Sequence, residues 1–271
     1  MKIGKKRPEP LSHDSMAIMR EKARQQGYYF IPELSYWSED DREIYLQYVT
    51  RFNILYIHGL SSSGSSGTAE RLRRYLPDDV IFSPDLPIDP DEALAMLQEL
   101  VKREGIDIVI GTSMGGMFAQ KLRGYHKILI NPSFHVSRSM RKRLGVNQFF
   151  SPRADGATEY VITEDLCDKY AALECHQFDY LTQEERDITF GMFGTADDVV
   201  NCEQEFMNHY GIDHCHRFEG GHRLNERNIK WDVWNVVDTI REKLIDEYYK
   251  NNPINKNIII GLLKQSPNAV I

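Results

Sequence analysis

The residues with the clearest chemical potential are a serine between two glycines, Gly111-Thr112-Ser113-Met114-Gly115. The motif follows the apolar run 106–110 and precedes an apolar helical pattern, which predicts a strand, a tight turn and a helix. Side chains at the two flanking positions would collide with neighbouring structure, so this turn requires glycine. Such a turn holds the hydroxyl clear of the sheet, and we predict that Ser113 is a nucleophile.

A general base and an acid are available later in the chain, in the order that a Ser-Asp-His set requires. His222 follows Gly220-Gly221 and the strand predicted over 212–218, and it is the candidate base. Asp197 and Asp198 follow the strand predicted over 188–193, and both are candidates for the acid. Asp197 is preferred from its spacing, whereas Asp198 could instead cap the next helix.

Two backbone N–H groups are candidates for stabilising an oxyanion, those of Leu60 and Met114. Leu60 follows His58-Gly59 at the end of the first predicted strand. His58 has two interpretations: a substrate contact, or a structural residue whose ring holds the turn. The following serine- and glycine-rich run has the glycine spacing of a phosphate-binding loop, but it lacks the lysine.

The elements that must position these residues follow an alternating pattern. Short apolar runs predict six strands at 52–57, 80–82, 106–110, 126–130, 188–193 and 212–218. Helical patterns lie between them, including one that begins at Asp89-Pro90 and ends before Gly105. Alternation of this kind predicts an α/β fold with a mostly parallel sheet covered by helices. In such sheets, sites lie at the carboxyl ends of the strands.

The long connection between the fourth and fifth strands, about 131–187, predicts a helical cap over the site. Phe134 is a candidate for lining an acyl pocket, with packing inside the cap as the alternative. Arg141 and Arg143 are candidates for contacting an anionic substrate group. The alternative is an ordinary solvated helix face.

The composition excludes several classes of function. A net charge of -7 argues against nucleic-acid binding by phosphate neutralisation. No run of about 18 apolar residues is present, so membrane insertion is not expected. The N-terminus lacks the apolar segment of a signal peptide, and a cytoplasmic location is expected. The four cysteines form no C-x-x-C pair, and no metal site is predicted.

The chain divides into an N-terminal extension 1–51, a catalytic domain 52–250 and a C-terminal tail 251–271. Short helices are predicted in the extension at 16–26 and 40–50. The extension either covers the surface of the core or contacts a partner such as a second copy of the chain.

Five segments together resemble the α/β-hydrolase superfamily, and within it the small YqiA-type esterases of bacteria. They are L-Y-I-H-G-L-S-S-S from Leu55, G-T-S-M-G-G from Gly111, L-I-N-P-S from Leu129, A-D-D-V-V from Ala196 and F-E-G-G-H from Phe218. The resemblance covers about 53–245 and implies an α/β-hydrolase fold and esterase activity without a cofactor. It places the catalytic serine, aspartate and histidine at Ser113, Asp197 and His222.

The sequence therefore predicts a serine hydrolase acting on small-molecule carboxylic esters or thioesters through an acyl-enzyme. Two alternatives stay open: a lyase or acyltransferase that uses the same three residues, and a non-catalytic binding protein with a hydrolase-like fold.

Overall fold

The computed structural model describes residues 52–77 and 79–251. The N-terminal extension, with its two predicted helices and its proposed contact with a second copy, lies outside these residues. So does the predicted tail, except for Asn251, which ends the last helix. Residues Phe52–Ile240 form one compact unit, which contains both sheets and the site described below.

Six parallel strands form the main sheet within the described residues, and two antiparallel strands form a small second sheet. The strands are β1 Asn53–Ile57, β2 Val80–Phe82, β3 Ile108–Thr112, β4 His126–Ile130, β5 Gly145–Gln148, β6 Glu159–Ile162, β7 Thr189–Gly194 and β8 Cys215–Phe218. The main sheet has the order β2-β1-β3-β4-β7-β8, and β5 pairs with β6. The prediction of a mostly parallel sheet is confirmed.

Helices connect and cover the strands. They are α1 Gly67–Tyr75, α2 Pro90–Arg103, α3 Met114–Lys121, α4 Val136–Arg141, α5 Glu164–Cys175, α6 Gln183–Asp187, α7 Glu203–Tyr210 and α8 Trp234–Asn251. A 3-10 turn at Ile212–His214 precedes β8, and a π-helical segment at Asn228–Val233 precedes α8. Across the described stretches of chain, none of these helices has the length and apolar character needed to cross a bilayer.

Helix α2 illustrates how local sequence produces an element and its packing. The Asp89 carboxylate accepts hydrogen bonds from the N–H groups of Asp91 and Glu92, and Pro90 occupies the first helical position. A cap of this kind stabilises a helix by about 1 kcal/mol. The apolar stripe that includes Ala93, Leu97 and Val101 is buried against the sheet, as its helical period predicts.

Two elements differ from their predicted form. The strand predicted from residue 212 begins only at Cys215, because Ile212 is exposed and Gly211 enters a 3-10 turn with a φ of 92°. The insertion contains the β5–β6 hairpin in addition to helices α4, α5 and α6. Residues Gly145–Gln148 are mostly exposed and lack an apolar run, so their strand pairing had no signal in the sequence.

Candidate active site

Ser113 occupies a strained turn between β3 and α3. Its φ of 54° and ψ of -120° lie where residues with side chains are rare. A Cβ on Gly111 would lie 2.2 Å from the Gly115 carbonyl oxygen, and one on Gly115 would lie 2.0 Å from the Ile57 carbonyl oxygen. The close contacts explain why both flanking positions are glycine.

Backbone hydrogen bonds hold this turn against the neighbouring strand. The Ser113 N–H donates to the Ile130 carbonyl oxygen over 3.0 Å. The Ser113 carbonyl oxygen accepts from the N–H groups of Gly116 and Ser133. The strained conformation is therefore stabilised by the end of β4 and the residues after it, while the Ser113 side chain stays partly exposed.

The structure brings Ser113, His222 and Asp197 into one hydrogen-bonded chain. His222 Nε2 lies 3.1 Å from Ser113 Oγ, and His222 Nδ1 lies 2.8 Å from Asp197 Oδ2. A carboxylate only accepts hydrogen bonds, so the proton of the neutral imidazole belongs on Nδ1. Nε2 is then free to accept the hydroxyl proton of Ser113, which is the arrangement a general base requires.

The two candidate acids occupy different environments. The Asp197 side chain is 5% exposed, and its Oδ1 accepts from the N–H groups of Val199 and Val200 over 2.8 and 3.0 Å. These bonds orient the carboxylate so that Oδ2 meets His222. Asp198 is exposed. The geometry therefore favours Asp197 over Asp198 as the carboxylate that orients His222.

Asn131 links the loops that carry the acid and the base. Its Nδ2 donates to the carbonyl oxygens of Gly221 and His222, each over 3.1 Å, and its Oδ1 accepts from the Gly194 N–H over 2.8 Å. Asn131 is buried and has a φ of 43°, a left-handed conformation that asparagine tolerates. This role of Asn131 was not predicted from the sequence, although its position directly after β4 was a signal for it.

The turn after β1 lies beside the nucleophile. A Cβ on Gly59 would lie 3.2 Å from the Ser113 Cβ, so Leu60 follows a backbone segment that touches Ser113. Met114 is the first residue of α3, and its N–H has no acceptor within the helix. The two predicted oxyanion donors thus flank Ser113 from separate segments.

His58 is buried in a position that supports its interpretation as a structural residue rather than as a substrate contact. Its Nε2 accepts from the Leu86 N–H over 3.2 Å, and its Nδ1 lies 2.9 Å from the Gly59 carbonyl oxygen. Burial lowers the pKa of His58 to about 4. The neutral ring ties the turn after β1 to the loop after β2.

The three candidate substrate contacts in the insertion, Phe134, Arg141 and Arg143, lie in three different environments. Phe134 is completely buried and packs edge-to-face on Phe178, so it does not line an open surface. Arg141 pairs with Asp168, and its charge is already compensated. Arg143 reaches the turn beside the nucleophile, where its Nη2 lies 3.4 Å from Ser61 Oγ. Of the three side chains, that of Arg143 is the exposed one without a carboxylate partner among the described residues.

A cleft of about 330 Å³ lies beside the loop that carries Asp197. Its lining includes Asn131, Thr195, Asp197 and Arg217, but not Ser113 or His222. The cleft therefore borders Asp197 and Asn131 and does not include Ser113.

The histidine- and cysteine-rich segment near β8 has structural contacts. His214 and His216 both pack against Phe190, and Cys215 Sγ donates to Glu203. Within residues 52–77 and 79–251, no three histidine, cysteine or acidic side chains are grouped as a metal site would require.

One family model and several solved structures are similar to this chain. The model of an uncharacterised protein family, UPF0227, matches residues 53–237, which contain all three hydrogen-bonded residues. Among solved structures, Est1E from Butyrivibrio proteoclasticus is 11% identical, with 73% of this chain and 88% of that chain covered and a TM-score of 0.46. The mouse alpha/beta hydrolase domain-containing protein 10 is 12% identical, with 71% and 90% covered and a TM-score of 0.48. A structure of the metagenome-derived lipolytic enzymes LipS and LipT is 16% identical, with 74% and 94% covered and a TM-score of 0.46.

Proposed function

We propose, from the premise that this chain belongs to the UPF0227 family, that it is a serine hydrolase of the α/β-hydrolase type, acting on carboxylic esters or thioesters. The observation that carries the proposal is the hydrogen-bonded chain from Ser113 through His222 to Asp197. These side chains follow β3, β8 and β7, and they meet at the carboxyl edge of the sheet. Water would accept the acyl group in the second half of the reaction.

The first half-reaction forms the acyl-enzyme. His222 Nε2 removes the proton from Ser113 Oγ as the oxygen attacks the carbonyl carbon of the ester. The N–H groups of Leu60 and Met114 donate hydrogen bonds to the carbonyl oxygen as it becomes negative. The tetrahedral intermediate then collapses, and the protonated His222 gives its proton to the departing alcohol or thiol.

The second half-reaction releases the acid and restores the enzyme. His222 removes a proton from water, whose oxygen attacks the acyl carbon, and the proton returns to Ser113 Oγ when that bond breaks. Throughout, Asp197 keeps the Nδ1 proton of His222 in place and stabilises the imidazolium. The two N–H donors to Oδ1 of Asp197 keep this carboxylate oriented.

A fluorophosphonate probe tests the proposal directly, because it labels only an activated serine. We expect labelling of the wild-type protein and none of Ser113→Ala, together with Ser113-dependent hydrolysis of short p-nitrophenyl esters. Absence of both labelling and hydrolysis in the wild type would favour a binding protein. Transfer of the acyl group to an added alcohol, without release of free acid, would instead identify an acyltransferase.

A further inference from the structure

An exposed aromatic side chain, Phe150, lies between the two turns that carry the proposed oxyanion donor and base. The Phe150 N–H donates to the Ser61 carbonyl oxygen over 2.7 Å, one residue from Leu60. The guanidinium of Arg223, the residue after His222, lies 5.1 Å from the centre of the Phe150 ring. Phe150 therefore contacts both turns, the first through its backbone and the second through its ring.

Phe150 is held in place although it is exposed. The side chain is 61% exposed, but its backbone is hydrogen-bonded to Ser61 and the ring packs against Arg223. An aromatic side chain that is exposed yet held in place near the proposed oxyanion donor and base is suited to contact substrate. The neighbouring Phe149 packs against Tyr160 instead, with ring centres 4.8 Å apart.

Two positive charges near Phe150 lack a compensating carboxylate within the described part of the chain. Arg223 stacks on Phe150, and Arg143 donates to Ser61 Oγ and to the Asn147 side chain. Two other arginines of the insertion differ, because Arg141 pairs with Asp168 and Arg153 pairs with Asp155.

Asp85, which lies close to the turn after β1, is bound to backbone N–H groups rather than to either arginine. Its carboxylate accepts hydrogen bonds from the N–H groups of Gly64 and Ala154. In a chain with a net charge of -7, a local pair of uncompensated arginines attracts an anion that the rest of the surface would repel.

We propose that Phe150, Arg143 and Arg223 form a substrate subsite for esters that carry an apolar group and a nearby oxyanion, either a carboxylate or a phosphate. The ring covers the apolar part, and the two guanidinium groups bind the anion. This inference rests on the proposed hydrolase function, and it assigns the specificity of that site to the edge of the insertion and to the residue after the base.

Three acetate esters with related phenolic leaving groups test the subsite. They are 4-acetoxybenzoate, 4-acetoxyphenyl phosphate and the neutral methyl 4-acetoxybenzoate. For each protein, kcat/KM for the two anions is divided by kcat/KM for the neutral ester. Comparison of these ratios between variants cancels the intrinsic reactivity of the esters, and the two anions distinguish carboxylate from phosphate recognition.

We expect Arg223→Gln and Arg143→Gln each to lower the ratio for at least one anion by about threefold to fivefold, the range for exposed charge pairs. High salt should reduce the wild-type ratio in the same direction. Phe150→Ala should lower kcat/KM for all three esters by about tenfold, as loss of an apolar contact does.

Lys102→Gln is the matched control, since it removes one positive charge at the opposite edge of the sheet. Lys102 lies in the last turn of α2, whose following residue Glu104 accepts a hydrogen bond from Asn53 at the start of β1. For Lys102→Gln, the ratio of kcat/KM for each anionic ester to kcat/KM for the neutral ester should equal that of the wild type. Unchanged ratios in both arginine variants, with normal cleavage of the neutral ester, would overturn the subsite alone. If the wild-type protein shows no Ser113-dependent cleavage of any of the three esters, the hydrolase proposal itself is rejected.

Discussion

The carboxyl edge of the main sheet and the insertion 131–187 are built on different principles. At the sheet edge, Ser113 and Asn131 are placed by backbone hydrogen bonds between adjacent strands and by contacts too close for a Cβ. In the insertion, the hairpin β5–β6 presents exposed side chains such as Val146 and Phe150. The comparison indicates that the position of the chemistry tolerates little change, whereas the surface around it can vary at small cost in stability.

The largest effect is expected from a substitution at the sheet edge that replaces the proposed acid, Asp197. We expect Asp197→Asn to lower kcat by about three to four orders of magnitude, because the amide can donate to His222 and favour the wrong tautomer. Asp198→Asn is the control and should retain wild-type kcat, since Asp198 is exposed. Steady-state kinetics on a p-nitrophenyl ester checks both. A larger loss in the Asp198 variant would reverse the assignment.

Replacement of one glycine in each region by alanine compares how much each region loses in free energy of unfolding. Gly115→Ala should lower the free energy of unfolding by about 3 kcal/mol or more, because its Cβ would meet backbone atoms of β1 that cannot move away. Gly156→Ala in the insertion has open space around it and should cost only about 1 kcal/mol, from its φ of 76°. Urea unfolding measures both values. Equal costs would show that the sheet edge adapts as readily as the insertion.

Asn131→Ala tests the link between the acid and base loops. Removal of the side chain leaves the Gly194 N–H and two carbonyl groups without their partner, and we expect a loss of about 2–3 kcal/mol in stability. We also expect kcat to fall by about tenfold with KM little changed, because His222 is displaced and substrate binding is not. If kcat and KM are unaffected at a temperature where the variant is folded, Asn131 does not position the base.

His58 should make the turn after β1 sensitive to acid. Its pKa is lowered from 6.5 to about 4 in the folded protein, so between these values the unfolded chain binds more protons. The stability contributed by neutral His58 is therefore lost as the pH falls from about 6.5 towards 4, by about 2 kcal/mol at pH 5.

His58→Gln removes this titration and keeps a donor and an acceptor on the side chain. The difference in unfolding free energy between pH 7 and pH 5 should be about 2 kcal/mol smaller in the variant than in the wild type. Equal differences in the two proteins would show that burial of His58 does not govern the acid response.

The smallest effect concerns an ion pair that connects the insertion to α2. Lys169 in α5 pairs with Asp89, and the Lys169 ammonium contributes to a lowered pKa of that carboxyl group. Because the pair is partly exposed, Lys169→Gln should shift the midpoint of urea unfolding only slightly. A clear drop in the midpoint would show that the insertion depends on this contact and is less tolerant than its exposed surface indicates.

The sequence by itself determined the fold class and the three candidate side chains. Apolar runs alternating with helical patterns predicted the six-stranded sheet, and β2 and β4 have the predicted bounds. Glycine spacing around Ser113 predicted the strained turn. These signals are local, because strand burial and steric crowding in a tight turn are imposed on the residues that form them.

Only the tertiary structure decided which neighbours meet. It placed Asp197 rather than Asp198 against His222, joined Asn131 to two distant loops, and buried His58 against Leu86. It also set Arg223 beside Phe150 and paired Arg141 away from the site. These outcomes depend on the direction of single side chains across contacts of 25 to 91 residues in sequence, which periodicity and spacing do not encode.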